Sequence, residues 1–249
     1  PDFSEKDLNG NGQLDPGLLE YVTVYTREPN FHSDGSSLTN VNSESDRTIQ
    51  TLLQNAGIST SYVKQLTATN SNARPYAGIF SFALRCRNLG ISSDDFSRIA
   101  DDVTTSTNTY LRGRVNVNTA CADVLTAVFM GANVNMDEST AESAAQTLVA
   151  YRQQNPNNLN SVAWIVDALG NNSPVVTALA KGDWVTSRSY QFTADIAAVG
   201  PYGRGYRRVK FIFDMSDGTP KILYRQDLSR LGWALGEKAR ETLLANNTP

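Results

Sequence analysis

The chain of 249 residues is 40% hydrophobic and carries a net charge of −3, values typical of an ordinary globular protein. Its isoelectric point of about 5.2 argues against a nucleic-acid-binding surface spread over the whole protein, because such surfaces are basic. No apolar run reaches the length of about 18 residues that a membrane-spanning helix requires. The first residues, PDFSEKD, lack an initiator methionine, so the existence of a preceding membrane anchor stays open.

The stretch DLNGNGQLD (residues 7–15) places oxygen-bearing side chains at alternating positions, with Gly12 available for a tight turn. This spacing follows an EF-hand-type calcium loop, except that its last position is Leu18 instead of the expected glutamate. We therefore predict a calcium site of modest affinity; the alternative is a surface turn that bonds to its own backbone. The candidate ligands are Asp7, Asn9, Asn11, Gln13, Asp15 and Glu20.

A strand is predicted for the β-branched and aromatic run YVTVYT (residues 21–26). Residues 43–160 then read as mostly helical. The first helix is predicted over residues 43–57, with Ser43 and Asp46 as its capping box and Gly57 as its stop. Further helices are predicted over residues 93–103, 138–153 and 162–169.

After about residue 187 the spacing of apolar residues changes to two, which is typical of strands. Strands are predicted over residues 189–199, 207–215 and 219–226. The connecting sequences GPYGRG and SDGT are typical of hairpins, so the three strands are expected to form an antiparallel meander. A short exposed helix is predicted for the tail, residues 233–245.

Cys86 and Cys121 are the two cysteines of the chain and form no CxxC pair, so a zinc site is not supported. If the protein lies outside the cytoplasm, they are candidates for one disulfide. The alternative is a pair of buried thiols.

The stretch RVNVNTACADVL (residues 114–125) indicates an extended segment that turns sharply into a helix. Thr119 is a good N-cap residue, and Asn116 and Asn118 are suited to bond nearby backbone groups. We predict an architectural role for these three residues in holding the turn. A related stretch at residues 39–53, TNVNSESDRTIQTLL, indicates either a duplicated helical module or a coincidence.

No catalytic site is predicted. The single histidine, His32, lies in a polar loop, and no nucleophile elbow, P-loop or dinucleotide-binding motif occurs. Acidic pairs such as Asp94–Asp95 read as solvated helix ends. We therefore expect a protein that is not an enzyme and has no small-molecule substrate.

The stretch NVNTACADVLTAV resembles the Asn-Val-Asn-Thr-Ala entry of the helix-hairpin-helix-like domain in the type II secretion system protein K family of minor pseudopilins. The order of the other parts is similar: YVTVYTREPN as strand and loop, a helical module, VAYRQ as a helix end, then SYQFTADIAAVG and RRVKFIFD as antiparallel strands. The resemblance covers about residues 18–235.

The predicted helices and strands indicate an α+β fold, and the resemblance implies that a helical (helix-hairpin-helix or SAM-like) module is combined with a small antiparallel pilin-like sheet. Residues 1–34 are expected to form a polar loop and a strand of the β portion. Residues 35–160 are expected to form the helical module with two helix-hairpin-helix-like repeats, and residues 161–249 the meander and tail helix.

The resemblance implies a non-enzymatic subunit that acts at the tip or in the assembly of a type II secretion pseudopilus during protein export. A protein of this family would keep its globular part in the periplasm. It would be anchored in the inner membrane by a hydrophobic N-terminal helix that these residues do not contain. Its partners would be other minor pseudopilins.

A DNA-binding module is the alternative, because VNVNTA also opens the helix-hairpin-helix of competence DNA receptors. In those proteins a Leu-Pro-Gly-Ile-Gly hairpin follows and places backbone N–H groups on a DNA phosphate. The corresponding stretch here, FMGANVNMDES, lacks this hairpin and carries two acidic residues. Arg112, Arg114 and Arg152 remain as candidate phosphate contacts, but nucleic acid is not the expected partner.

Overall fold

The computed structural model describes residues 17–18, 21–200 and 205–231. The α+β class predicted from the sequence is confirmed, since helices and small antiparallel sheets both occur. The chain divides into two compact units, residues 1–189 and residues 190–249.

The first unit contains short strands and helices. In chain order they are β1 (Arg27–Pro29), β2 (Thr39–Asn40), α1 (Asp46–Asn55), α2 (Thr60–Ala73), α3 (Ile79–Asn88), α4 (Ser93–Ser97), β3 (Val103–Thr104), β4 (Tyr110–Arg112), β5 (Val115–Asn116), α5 (Ala122–Ala132), α6 (Glu138–Gln154), α7 (Trp164–Leu169), α8 (Pro174–Leu179) and β6 (Val185–Thr186).

Two stretches of this unit have the same order of elements, namely a short strand, four helices and a closing strand. We call residues 39–106 the first repeat and residues 115–188 the second repeat. In the first repeat β2 pairs in parallel with β3, and in the second β5 pairs in parallel with β6. Strand β1 pairs antiparallel with β4, which lies between the repeats in sequence.

The core of the first unit is built from the apolar faces of its helices. Helix α1 buries Ile49 and Leu53, four residues apart and therefore on one face. Helix α6 buries small residues at helical spacing, Ala141, Ala144 and Ala145, which allows close packing against α5. The largest completely buried side chain is Trp164 at the start of α7.

Three predictions in the first repeat and the segment before it differ from the structure. The strand expected at residues 21–26 is not formed; β1 begins at Arg27, where a pairing partner is available in β4. Helix α1 is capped by Ser45, whose side chain accepts a hydrogen bond from the Thr48 N–H, rather than by Ser43. The helix expected at residues 93–103 ends at Ser97, after which single turns lead the chain into β3.

The second unit contains β7 (Gln191–Val199), β8 (Tyr206–Asp214) and β9 (Lys221–Asp227). They form an antiparallel sheet in the order β7-β8-β9, which is the predicted meander. The tail helix predicted at residues 233–245 lies outside the described residues. The sequence segment 161–249 spans both units, because α7, α8 and β6 belong to the second repeat.

Candidate functional site

The turn after β5 is held by Asn116. Its side-chain Oδ1 accepts the Asn118 N–H at 2.9 Å, and its carbonyl oxygen accepts the N–H groups of Thr119 and Ala120 at 3.2 and 3.0 Å. Val117, between the two asparagines, is completely buried. The alternation of asparagine and valine therefore serves a tight turn that inserts one apolar side chain into the core.

Asn118 joins three separate parts of the second repeat. Its Nδ2 donates to the carbonyl oxygens of Leu159 and Ser187, both at 2.9 Å. Its Oδ1 accepts the indole N–H of the buried Trp164 at 3.0 Å. Because the amide has two donors and one acceptor oxygen, these bonds engage every polar atom of the side chain.

The first repeat contains the same turn. Asn40 Oδ1 accepts the Asn42 N–H at 2.9 Å. Asn42 Nδ2 donates to the carbonyl oxygens of Tyr76 and Thr105 at 3.0 Å, and its Oδ1 accepts the Tyr76 N–H at 2.8 Å. Val41 is completely buried, as Val117 is. The similarity seen in the sequence therefore corresponds to two equivalent structural turns.

Thr119 does not cap a helix as predicted. Helix α5 begins at Ala122, and its N-cap residue is Cys121, which makes no side-chain capping bond. Thr119 lies inside the turn, where its backbone N–H bonds to Asn116. The helix therefore begins two residues later than a Thr119 cap would place it, because the N–H groups of Thr119 and Ala120 bond to Asn116 and belong to the turn.

Most of the groups that would contact a DNA phosphate are engaged within the protein. The N–H groups of the turn bond to Asn116, as described above. Arg152 donates from Nη1 to the carbonyl oxygens of Val117 and Ala120 at 2.9 and 2.7 Å. Arg114 is buried in an ion cluster, whereas Arg112 is exposed. Of the three candidate arginines, Arg152 thus braces the turn, Arg114 belongs to the ion cluster and Arg112 is exposed.

The ion cluster joins Arg114 to two carboxylates from distant parts of the first unit. Arg114 Nη2 lies 2.7 Å from Glu28 Oε2, and Nη1 lies 3.5 Å from Asp183 Oδ1. Thr186 Oγ1 donates to Glu28 Oε1 at 3.3 Å. The arginine side chain is only 7% exposed. The cluster connects β1 to the residues that precede β5 and β6, a connection that the sequence did not reveal.

Burial raises the pKa of both carboxyl groups above their ordinary values, and the nearby Arg114 guanidinium offsets part of that effect. Perturbed carboxylates are also found in catalytic sites. An open groove of about 760 Å³ runs along α1 and is lined by Arg47, Arg98 and other polar residues, but neither Glu28 nor Asp183 lines it. The pair therefore has the character of a structural ion cluster.

The six candidate calcium ligands, Asp7, Asn9, Asn11, Gln13, Asp15 and Glu20, lie outside the described residues. Within residues 17–18, 21–200 and 205–231, no group of three or more His, Cys, Asp or Glu side chains is placed to hold a metal ion.

Cys86 and Cys121 are free thiols, so the disulfide considered from the sequence is not formed. Cys86 is completely buried in α3, and burial raises its pKa. Cys121 is exposed at the N-terminus of α5. The Cys86 thiol lies in the core and the Cys121 thiol lies at the surface. The alternative prediction of two buried thiols is therefore correct for Cys86 and wrong for Cys121.

The sheet of the second unit has one face that is apolar across β7 and β8. In the strand register, Phe192 pairs with Phe213, Ala194 with Phe211 and Ile196 with Val209. These residues and Ile222, which pairs with Phe213 across β9, point to the same side because cross-strand partners share a face. At the β9 edge this side also carries Arg225 and Asp227, the partners of Phe211 and Val209. We call these seven residues the apolar face: Phe192, Ala194, Ile196, Val209, Phe211, Phe213 and Ile222.

The apolar face is substantially exposed. Phe192 and Ile196 are each 50% exposed and Ile222 is 59% exposed. The rings of Phe211 and Phe213 stack with their centroids 5.5 Å apart, which makes a continuous surface along β8. A contiguous apolar surface of this kind on a small sheet indicates contact with another apolar element.

No protein-family model matches this chain, and no curated protein matches it significantly. Among the described residues, no helix has the length and apolar character needed to cross a membrane.

Proposed function

We propose that this chain is the globular part of a minor pseudopilin-like subunit, which acts without catalysis at the tip or in the assembly of a type II secretion pseudopilus. Its globular part would lie in the periplasm and its partners would be other minor pseudopilins. The resemblance of VNVNTA and of the order of parts to the protein K family supports this function.

The observation that carries the proposal is the exposed apolar face of the second unit. A three-stranded sheet is stable when its apolar side is packed against another element. Phe192, Ile196 and Ile222 are half exposed or more in the chain as described. In a pseudopilin-like subunit, the hydrophobic N-terminal helix that anchors the protein in the inner membrane would supply the missing cover.

The first repeat and the second repeat support a scaffold rather than a reaction centre. Their paired asparagine turns bind backbone carbonyls of their own repeat. Asparagine side chains bonded in this way fix the shape of a helical module and leave its outer surface for contacts with neighbouring subunits. The predicted loop at residues 7–15 would bind calcium as a further stabilising element.

The test is complementation of a deletion strain of the source bacterium with the full-length gene. We expect the deletion to abolish export of type II secretion substrates and the wild-type gene to restore it. Ile196→Asp should fail to restore export, because it places a charge on the apolar face. Gln226→Asp, an exposed change on the other side of the sheet, serves as the matched control and should restore export.

The purified 249-residue chain separates this effect from misfolding. Ile196 is half exposed, so Ile196→Asp should leave its thermal melt close to that of the wild type. Normal export by the deletion strain, or full complementation by Ile196→Asp, would overturn the proposal. Co-purification of the full-length protein with the minor pseudopilins of the same bacterium provides an independent measurement.

A further inference from the structure

Strand β7 has an open edge that carries little charge. It is nine residues long and, among the described residues, pairs only with β8. Its one charged side chain is Asp195, which Arg208 holds through three hydrogen bonds: Nε donates to Oδ1 at 2.9 Å and to Oδ2 at 3.1 Å, and Nη2 donates to Oδ2 at 2.6 Å. An edge whose single charge is already neutralised is poorly protected against pairing with another strand.

The opposite edge of the same sheet is protected. Strand β9 carries Lys221, Arg225 and Asp227, and its pairing with β8 is shifted in register between Ile212 and Phe213. Charges and bulges are the usual means by which proteins block edge-to-edge association. The contrast between the two edges points to β7 as the one suited to receive a further strand.

The backbone register shows which groups of β7 face outward. At its two ends, the Met215 N–H donates to the Tyr190 carbonyl oxygen and the Gly200 N–H donates to the Gly205 carbonyl oxygen. Hydrogen bonding alternates along an antiparallel strand, so the even-numbered residues of β7 bond to β8. The N–H and C=O groups of Thr193, Asp195 and Ala197 therefore point to the open edge.

We propose that β7 pairs antiparallel with β7 of a second copy of this chain, around a two-fold axis at Ala194. In this register the outward backbone groups of Thr193 face those of Asp195 of the second copy. Phe192 lies across from Ile196 of the second copy in a non-hydrogen-bonded pair, where side chains approach most closely. A register centred on Asp195 would instead place two carboxylates opposite each other.

The pairing is favourable for both faces of the joined sheet. On one side it extends the apolar face without a break, since Phe192 and Ile196 of both copies meet there. On the other side the Thr193 hydroxyl is placed to donate to the Asp195 carboxylate of the second copy. The edge of β7 is distinct from the apolar face, so the dimer does not depend on the secretion role proposed above.

The test is sedimentation equilibrium of the 249-residue chain over a wide concentration range, together with residue-resolved amide exchange. We expect a reversible dimer. The amides of Thr193, Asp195 and Ala197 should become protected as the dimer forms, whereas the amides of Ala194 and Ile196 should be protected at every concentration.

Thr193→Asp should raise the dimer dissociation constant by roughly tenfold, because the two-fold axis creates an Asp–Asp contact with Asp195 twice. Gln226→Asp introduces the same charge beside the protected edge and should leave the dissociation constant unchanged. The thermal melt of both variants at low concentration reports whether the monomer fold is intact.

Three results would overturn the proposal. The first is a chain that stays monomeric over the whole concentration range. This result includes the case in which another part of the same molecule protects the amides of Thr193, Asp195 and Ala197 at every concentration. The second is a dimer in which those amides remain unprotected. The third is a dimer that Thr193→Asp and Gln226→Asp weaken equally.

Discussion

Asn42 and Asn118 make equivalent contacts in the two repeats. Each donates its two amide protons to two backbone carbonyl oxygens at 2.9 or 3.0 Å, and in each case one acceptor is the residue just after the closing strand, Thr105 or Ser187. Each Oδ1 also accepts one N–H. A single side chain thus connects the opening turn, the segment between the second and third helices and the end of the closing strand of its repeat.

Replacing Asn118 by alanine should lower the free energy of unfolding by about 2–3 kcal/mol, because it leaves two carbonyl groups and the Trp164 N–H without their partner. Asn42→Ala should have a similar effect on the first repeat. Urea unfolding followed by circular dichroism measures both. Asn158→Ala, at an exposed asparagine, is the control; equal stability of Asn118→Ala and this control would contradict the assignment.

The sequence was informative wherever local pattern decides structure. Alternating apolar residues located the strands of the meander, and the periodic run at residues 138–153 located α6 (Glu138–Gln154). The repeated Asn-Val-Asn was visible because the turn that it forms is local. By contrast, YVTVYT has strong strand propensity but forms no strand, since pairing at β1 depends on β4.

The ion cluster could not be predicted for the same reason. Arg114 and Asp183 are 69 residues apart in sequence, and each is unremarkable among its neighbours. Only the parallel pairing of β5 with β6 brings the segments that precede these strands together. Likewise, whether Cys86 and Cys121 meet depends on the packing of α3 and α5 and not on their spacing.

Gly78 marks a close approach of backbone segments. A Cβ atom at this position would lie 2.8 Å from both the Asp183 Cα and the Gly182 carbonyl oxygen. Gly78→Ala should therefore destabilise the protein by about 1–3 kcal/mol, since backbone must move to relieve the contact. The control is Gly131→Ala in α5, where an added Cβ would meet no atom within 4 Å apart from its chain neighbours and the backbone of its own helix.

Gly131→Ala should stabilise the protein by about 0.5–1 kcal/mol, because alanine loses less conformational freedom in a helix than glycine. Thermal melts of the two variants beside the wild type give the comparison. A melting temperature of Gly78→Ala that equals or exceeds that of the wild type would show that the close approach at Gly78 has no energetic consequence.

Of the three members of the ion cluster, Arg114 is the one whose substitution is expected to destabilise the protein most. Arg114→Met leaves the partly buried carboxylates of Glu28 and Asp183 without their guanidinium partner, which should cost about 1–3 kcal/mol at neutral pH. Lowering the pH should recover part of this loss, because protonation removes the unpaired charges. Arg207→Met removes an arginine that is 75% exposed and pairs with Asp227, and it should change stability little.

Calcium should raise the melting temperature of the purified chain if the loop at residues 7–15 binds it, because a ligand that binds only the folded state stabilises that state. The measurement compares melts in millimolar calcium and in chelator. The double variant Asp7→Ala/Asp15→Ala should lose the difference. Coincident melts of the wild-type chain would leave the loop as a surface turn.

The pH dependence of stability should report the burial of Glu28. Its pKa in the folded protein is raised above the ordinary value of 4.5, so between these two pKa values the folded state binds more protons than the unfolded state. Relative to Glu28→Gln, the wild type should therefore gain stability as the pH falls from neutral to about 4.5 and show no further gain below it.

Other carboxyl groups do not obscure this effect. Asp34, Asp137, Asp195 and Asp227 have lowered pKa values, so their contributions to the stability of the protein are lost in acid; these contributions are common to both proteins and cancel in the difference. Urea unfolding at a series of pH values measures this difference, with Glu44→Gln, at an exposed glutamate, as the control. A difference that stays constant or shrinks as the pH falls would mean that Arg114 fully offsets the burial of the Glu28 carboxylate.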